Sequence, residues 1–386
     1  MQKSKLILPI LVLSQFCGTS LWFAGNSIMS DLVINFGFEA AALGPLTSSV
    51  QLGFIAGTLL FALLAISDRV SPSKVFLVCA VFGSLFNLGI IWDGNTLISI
   101  LILRFFTGFF LAGIYPVGMK IAADHFENGL GKSLGLLVGA LVLGTAFPHL
   151  LKGIFAWKFV ILSTSALAFL GGILVATLVP DGPFRKPGQI MALSSFKTFF
   201  NKQEFKAAAL GYFGHMWELY AYWAFVPIIL ASYQLINPAS AFNISIVSFS
   251  IIAIGGVGCV IGGFLSQRFG AKKIATISLF LSCLCCLISP FMLGLNSEVF
   301  FIGFLLFWGL MVTADSPLFS TLVAQNAIPE LKGTALTLVN CLGFAISIFS
   351  IQLLNEMKSY TDSNSIYVVL AIGPVLGLWA LSKPVK

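Results

Sequence analysis

The stretch Gly263–Lys273, which reads GFLSQRFGAKK, forms a short basic loop between two long apolar runs. An earlier stretch, Ser67–Lys74 or SDRVSPSK, follows the second apolar run of the chain. A shift of 199 positions pairs three polar residues of these loops: Asp68 with Gln267, Arg69 with Arg268 and Lys74 with Lys273. A loop that recurs after equivalent apolar runs indicates that the chain arose by internal duplication.

Two further apolar runs carry the same repeat. With a shift of 201 positions, Gly108 falls on Gly309 and Pro116 falls on Pro317. The two pairs lie at equivalent depths in the fourth and the tenth apolar run. Because the halves repeat in the same direction, they predict parallel six-helix units, as in transporters built by duplication.

The composition indicates a membrane protein. The chain has 386 residues, of which 58% are hydrophobic and 9% are charged, with a mean hydropathy of +1.00. Soluble domains carry about 25% charged residues. Twelve apolar runs have the length that a helix needs to cross a bilayer: 5–29, 44–66, 75–92, 97–121, 131–151, 157–179, 207–231, 241–266, 274–293, 298–323, 332–354 and 365–382. These runs predict an all-α polytopic membrane protein with twelve transmembrane helices in two pseudo-symmetric six-helix bundles.

One connection is much longer than the others and divides the spans into two groups of six. The predicted domains are an N-terminal bundle at 1–180, a cytoplasmic linker at 181–206 and a C-terminal bundle at 207–386. The linker opens with the turn-rich segment PDGPFRKPG. Leu193, Phe196 and Phe200 then share one side of a possible helix, which favours an amphipathic helix on the membrane surface. A flexible linker is the alternative.

Lysine and arginine are distributed unevenly over the loops, and this distribution predicts the orientation of the chain. If the N-terminus is inside, 17 of the 21 basic residues lie in inside segments. Basic residues in short loops favour the cytoplasmic side of the membrane. Both termini are therefore predicted to be cytoplasmic, in a bacterial inner membrane.

A polar segment inside the seventh run is unusual for a membrane span. Gly211–Trp223 reads GYFGHMWELYAYW and places His215, Glu218 and Tyr222 at i, i+3 and i+7 on one helix face. An unpaired carboxylate near the bilayer centre costs roughly 3 kcal/mol or more, so Glu218 is a functional-site hypothesis. It is interpreted as a proton carrier or a cation ligand, and His215 could share its proton. The alternative is a neutral glutamic acid that is hydrogen-bonded within its own bundle.

Two further ionisable residues lie inside predicted spans. Asp315 stands close to Pro317, which interrupts the helical hydrogen-bond ladder, and such breaks form ligand sites in membranes. The other interpretation of Asp315 is a cap for the backbone groups freed at the kink. Arg104 is interpreted as a counter-ion for an acceptor on the solute, or else as a tie to backbone carbonyls of a neighbouring helix.

The first span carries a polar stripe that the repeat relates to the seventh span. A shift of 196 positions pairs Gln15 with Gly211, Thr19 with His215, Trp22 with Glu218 and Asn26 with Tyr222. We predict that this stripe contacts the solute together with Arg104. The aromatic rings of Tyr115 and Tyr222 could flank an organic solute by stacking or cation–π contact.

These features resemble the major facilitator superfamily. Its loop signature is G-x-x-x-D-R-x-G-x-R/K-R/K, and the matching residues here are Asp68, Arg69 and Lys74 in the first copy and Gly263, Gln267, Arg268, Gly270 and Lys273 in the second. The signature R-x-x-x-G-x-x-x-A of the fourth span is present as Arg104, Gly108 and Ala112. The resemblance implies alternating access, with spans 1, 4, 7 and 10 lining a central cavity and the two loops acting as a cytoplasmic gate.

The sequence therefore predicts a secondary active transporter of a small organic solute, coupled to protons through Glu218, Asp315 or both, with His215 assisting. An uncoupled facilitator and a proton-antiport exporter are the alternatives, and a non-transporting receptor is a more remote one. The sequence contains no catalytic cluster, no metal-site spacing and no phosphate-binding loop. We expect no enzymatic activity, no cofactor, no nucleic-acid partner, and a functional monomer in the lipid bilayer.

Overall fold

All regular structure in the described part of the chain is helical. The computed structural model describes residues 2–126, 130–185, 199–328 and 331–383. Eleven helical segments in these ranges are long and apolar enough to cross a membrane. The apolar part of the first helix, Leu6–Thr19, is shorter, because regular helix stops there and resumes at Ala24. With this broken segment, the described residues contain twelve candidate spans, the number that the hydropathy predicts.

The chain forms two compact units, Met1–Met191 and Ala192–Lys386. The helices of the first unit are α1a (Gln2–Thr19), α1b (Ala24–Ser27), α1c (Met29–Phe36), α2 (Leu43–Leu63), α3 (Pro72–Leu88), α4a (Leu97–Leu111), α4b (Tyr115–His125), α5 (Leu130–Ile154) and α6 (Trp157–Leu178). A four-residue helix, Ile66–Arg69, lies between α2 and α3.

The second unit repeats this arrangement. Its helices are α7 (Gln203–Ile236), α8 (Ile244–Phe269), α9 (Ala271–Leu293), α10a (Glu298–Ala314), α10b (Ser316–Asn326), α11 (Lys332–Tyr360) and α12 (Ile372–Ser382). A 3₁₀ segment, Asn364–Ala371, leads directly into α12. Helix α7 begins inside the predicted linker, and the linker residues Leu193 and Phe196 lie outside the described residues, so the amphipathic helix stays a prediction.

Equivalent glycines let equivalent helices touch in the two units. A Cβ on Gly108 of α4a would overlap the carbonyl oxygen of Val50 on α2. A Cβ on Gly309 of α10a would overlap the carbonyl oxygen of Ile251 on α8 in the same way. Both partners are 201 positions apart, like the glycines themselves. Small residues permit this close backbone approach between membrane helices, so the repeat in the sequence is also a repeat in packing.

Three spans are discontinuous near their middle. Helix α4 breaks before Pro116 and α10 breaks before Pro317, and each proline occupies the first turn of the second segment, where its missing N–H is tolerated. The break of α1 has no proline. It falls between Thr19 and Ala24, so the prediction of one continuous helix over 5–29 was wrong. The chain then stays helical to Phe36, beyond the predicted end.

Candidate functional site

The polar face of α7 is directed at α10. His215 lies against Asp315, Glu218 accepts a hydrogen bond from Trp308, and Tyr222 donates one to the Leu305 carbonyl: three contacts that run in order along the two helices. All three α7 side chains are buried. The i, i+3, i+7 spacing therefore produces one continuous polar contact line inside the second unit.

One end of this line is an ionisable pair. His215 Nδ1 lies 2.8 Å from Asp315 Oδ1, and both side chains are almost fully buried, with 1% and 0% of their surface exposed. The two atoms are within ion-pair distance, although the ring N–H does not point along a hydrogen bond to the carboxylate. His215 Nε2 and Asp315 Oδ2 have no hydrogen-bond partner among the described residues. The pair is thus buried and has unused hydrogen-bonding capacity.

The break in α10 places Asp315 in this position. The residue separates α10a from α10b, and its carbonyl oxygen accepts hydrogen bonds from the backbone N–H groups of Leu318 and Phe319. Its carboxylate makes no capping bond to the backbone. The interpretation of Asp315 as a side-chain cap therefore has no support in the geometry, and the carboxylate is left to His215.

Glu218 of α7 is enclosed by two other helices, α9 and α10a. Trp308 Nε1 of α10a donates to Glu218 Oε1 at 2.6 Å, and Ser282 Oγ of α9 lies 2.9 Å from Oε2. The Cys286 thiol is a further hydrogen-bonding neighbour. No lysine, arginine or histidine nitrogen lies within 4 Å of this carboxyl group among the described residues. Both oxygens of Glu218 are therefore satisfied by neutral groups.

Tyr222 ends the contact line. Its hydroxyl donates to the Leu305 carbonyl at 2.7 Å, and its ring lies 4.4 Å from the Trp308 ring, centroid to centroid. Trp308 therefore touches both Tyr222 and Glu218. The contact holds Tyr222 inside the second unit, where its side chain has no exposed surface.

The polar stripe of the first span is buried as well. Thr19 donates to the Gln15 carbonyl at 2.8 Å, and Asn26 Nδ2 donates to Thr47 Oγ1 at 2.6 Å. The Trp22 ring lies 4.8 Å from the Phe54 ring. The side-chain amide of Gln15 has no hydrogen-bond partner among the described residues, although none of its surface is exposed. Gln15 therefore has spare donors and acceptors, and Asn26 Oδ1 is a further acceptor without a partner among the described residues.

Arg104 of α4a binds the broken part of α1. Its Nη1 donates to the Leu21 carbonyl at 3.0 Å, and its Nη2 donates to the Trp22 carbonyl. These carbonyls lie at the interruption between α1a and α1b, where regular helical bonding stops. In the described residues no carboxylate lies within 4 Å of the guanidinium. Of the two interpretations of Arg104, the tie to backbone carbonyls matches the contacts.

The remaining predicted cavity residue, Tyr115, begins α4b and is half-buried. The structure brings together Trp22 and Arg104 in the first unit, through the Trp22 carbonyl. It brings together His215 and Asp315 in the second unit, with Glu218 and Tyr222 further along α7. Among the predicted residues, these contacts therefore join Trp22 with Arg104 in the first unit and His215 with Asp315 in the second.

The first loop copy is held by residues that the sequence did not single out. Lys120 Nζ lies 2.7 Å from the Asp68 carboxylate. Arg185 donates to the carbonyls of Asp68 and Val70 at 2.8 and 2.9 Å. Arg69 is exposed, as is Lys74, so Arg185 rather than Arg69 bonds the carbonyls at this turn.

The second loop copy is exposed. Arg268 and Lys273 lie over the Phe269 ring, 5.2 and 5.8 Å from its centre. Gln267 is neutral, so it cannot form the ion pair that Asp68 forms in the first copy. Gly270 has φ +86°, a conformation that favours glycine, and it joins α8 to α9. Gly263 is half-buried in α8, and a Cβ there would meet no neighbour.

Ser282 and Trp308 are the site residues that sequence reasoning missed. Ser282 is 64 positions from Glu218 and Trp308 is 90 positions from it, so no local spacing connects them. An indole N–H inside an apolar span needs an acceptor, and this was the one available signal.

For metals, no group of three or more His, Cys, Asp or Glu residues suited to an ion occurs in the described ranges.

The chain belongs to the major facilitator superfamily. It matches the sequence model of that family, described as Major Facilitator Superfamily, over residues 11–351. Two solved structures share the fold. The D-xylose-proton symporter has a TM-score of 0.80 at 15% identity, over 98% of this chain and 97% of that chain. The nucleoside transporter NupG has a TM-score of 0.73 at 18% identity, over 99% of this chain and 98% of that chain.

Two curated relatives are similar over part of the chain. One is the 4-hydroxybenzoate transporter PcaK of Pseudomonas aeruginosa, 30% identical over 171 residues, which are 42% of this chain and 35% of the relative. The other is NiaP of Bacillus subtilis, an inferred niacin/nicotinamide transporter, 28% identical over 169 residues, which are 40% of this chain and 39% of the relative. The match spans well under half of each relative. The chain therefore belongs to a family of integral membrane transporters.

Proposed function

We propose that this chain is a secondary active transporter that moves a small organic solute by alternating access and is driven by protons carried on the His215–Asp315 pair. The observation that carries the proposal is the 2.8 Å contact between two almost fully buried titratable groups at the break of α10. Buried ionisable residues in spans are expensive and mark ion pathways and proton relays.

The pair is suited to carry one proton. With one proton shared, its net charge is zero, either as neutral histidine and aspartic acid or as imidazolium and carboxylate. Loss of that proton leaves a carboxylate without a cation in a desolvated place, which is unfavourable. The pair therefore keeps its proton while it is enclosed and exchanges it when water reaches it. Alternating access would supply that exposure on each side of the membrane in turn.

Small aromatic acids are the solute class that the relatives favour. PcaK carries the name of a 4-hydroxybenzoate transporter and NiaP that of a niacin/nicotinamide transporter. Niacin and 4-hydroxybenzoate are both compact aromatic carboxylic acids. In the first unit, the Gln15 amide has unused donors and acceptors, and the Trp22 and Phe54 rings lie 4.8 Å apart, centroid to centroid. These groups suit a flat ring with a polar substituent.

The test is uptake into proteoliposomes with and without a pH gradient, using a panel that begins with 4-hydroxybenzoate, niacin and nicotinamide. For a solute that the wild type accumulates, Asp315→Asn is expected to abolish gradient-driven accumulation, because an amide cannot release a proton at ordinary pH. Asp362→Asn is the matched control, since Asp362 is exposed in a loop. Accumulation that ignores both the gradient and Asp315→Asn would leave an uncoupled facilitator as the function.

A further inference from the structure

We infer that Glu218 stays protonated throughout the transport cycle and fastens α7 to α9 and α10a, so that the moving proton belongs to His215 and Asp315 alone. The inference rests on the proposed function, because it divides the two buried carboxyl groups between a structural and a coupling role. It follows from three features of the site: the match of hydrogen-bond donors and acceptors around Glu218, the charge balance of the buried groups, and the absence of a free hydrogen-bonding position on Glu218.

The hydrogen-bond inventory around Glu218 fits the neutral acid. Trp308 Nε1–H can only donate, and it occupies Glu218 Oε1. Ser282 Oγ lies 2.9 Å from Glu218 Oε2 and 3.1 Å from the Leu279 carbonyl oxygen. A serine hydroxyl has one hydrogen, so it cannot donate to both oxygens. With a protonated glutamic acid, a chain runs from Glu218 O–H to Ser282 Oγ and from Ser282 O–H to the carbonyl of Leu279, and the Cys286 thiol, a weak donor, can use a second lone pair of the carboxyl group.

The ionised acid would break this chain. Ser282 would have to turn its only hydrogen to the carboxylate and abandon the Leu279 carbonyl. The charge itself would be fully buried and would have no cation within 4 Å among the described residues. An unpaired buried carboxylate is one of the most unfavourable groups that a bundle can hold. The neutral form has neither problem.

The charge balance of the second unit leads to the same assignment. The titratable groups that face Glu218 are Asp315 of α10, Tyr222 of its own helix, and three thiols of α9: Cys283, Cys285 and Cys286. None of these can become a cation. His215 is the one potential cation near the two carboxyl groups in the described unit, and it lies against Asp315. Two buried carboxylates cannot share one imidazolium without leaving one of them unpaired.

The polar atoms along the contact line differ in whether they have hydrogen-bond partners. Both oxygens of Glu218 have partners, whereas His215 Nε2 and Asp315 Oδ2 have none among the described residues. A group that must accept and release a proton needs a free position for water or solute. The free positions lie on the His215–Asp315 pair, and Glu218 has none to offer.

Infrared spectroscopy of the full-length protein in lipid tests this inference without any solute. The difference spectrum between wild type and Glu218→Gln isolates the Glu218 carboxyl group. Its protonated C=O band is expected at both about pH 5 and about pH 9, well above the usual range for glutamate. The control is Glu356→Gln, because Glu356 is exposed on α11 and its spectrum should be that of a carboxylate at high pH. Conversion of the Glu218 band to carboxylate bands between these pH values overturns the inference.

Transport provides a second readout that separates the inference from the proposed function. Glu218→Gln keeps the hydrogen bonds of the neutral acid, so gradient-driven uptake of 4-hydroxybenzoate, niacin or nicotinamide should stay within about a factor of two of wild type. Loss of coupling in Glu218→Gln but not in Asp315→Asn would refute the division of roles and leave a proton-coupled carrier. A Glu218 band that persists at both pH values, with no coupling in the wild type, would refute the proposed function alone. A weakly folded Glu218→Gln can be replaced by Ser282→Ala, which should shift the C=O band because it removes the hydroxyl oxygen that accepts the Glu218 O–H.

Discussion

Arg104 and Glu218 are fully buried, and each unit holds its residue with no opposite charge within 4 Å among the described residues. Arg104 donates to the Leu21 and Trp22 carbonyls, and Glu218 is enclosed by Trp308 and Ser282. A guanidinium group keeps its charge at any ordinary pH, so it needs hydrogen-bond acceptors when it is buried. The acceptors of Arg104 are two backbone carbonyls. A carboxyl group can become neutral instead. The two residues therefore solve the same problem of burial by different chemistry.

Arg104→Leu should destabilise the first unit. The substitution leaves the Leu21 and Trp22 carbonyls without their partner, at a cost of about 1–3 kcal/mol for each buried group. Thermal unfolding of purified protein should show a lower Tm than wild type. Arg268→Leu makes the same chemical change at an exposed position and should leave the Tm almost unchanged. Equal Tm values for the two variants would contradict a structural role for Arg104.

The helix pairs α2–α4a and α8–α10a are the elements in which the duplication is most visible. In each pair a glycine of the second helix lies directly on a backbone carbonyl of the first. Where the helices break, the two units differ in chemistry: α10 places Asp315 at the residue before its second segment, and the equivalent residue of α4 is Ile114. The same backbone frame therefore carries an ionisable group in only one half.

Gly309→Ala should lower the stability of the second unit. Its methyl group would overlap the Ile251 carbonyl oxygen, and such overpacking costs about 1–3 kcal/mol. Gly303→Ala is a control within the same helix, because a Cβ there meets no neighbouring atom. That variant should be neutral or more stable by roughly 0.5–1 kcal/mol, the usual helical gain of alanine over glycine. Thermal unfolding in detergent measures both, and a more stable Gly309→Ala would contradict the close packing.

At the scale of the whole molecule, apolar runs and repeated loops were enough to predict twelve spans in two equivalent halves. The polar spacing of α7 put His215, Glu218 and Tyr222 on one face, and all three side chains contact α10 or the residue at its break. The interruption of α1 could not be predicted, because Thr19–Ala24 contains no proline and its freed carbonyls are bound by a residue more than 80 positions away. The partners of Glu218 were missed for the same reason, since hydrogen bonds between distant spans leave no periodic pattern in the sequence.

The two carboxyl groups of the second unit show where sequence reasoning needed the structure. Both stood in membrane spans, and the sequence left open which of them moves a proton. The difference depends on atoms from α9 and α10a that complete the shell of Glu218 and leave Asp315 with a free oxygen. Neither property follows from composition or spacing.

The central claim is that solute movement is coupled to protons at His215 and Asp315. Its most direct test is proton flux into proteoliposomes that contain a trapped pH-sensitive dye, recorded when a solute accumulated by the wild type is added without a preset gradient. Wild type and Glu218→Gln should both show a solute-dependent pH change, and Asp315→Asn should show none. Entry of the solute through the wild type with no change in internal pH would contradict the claim.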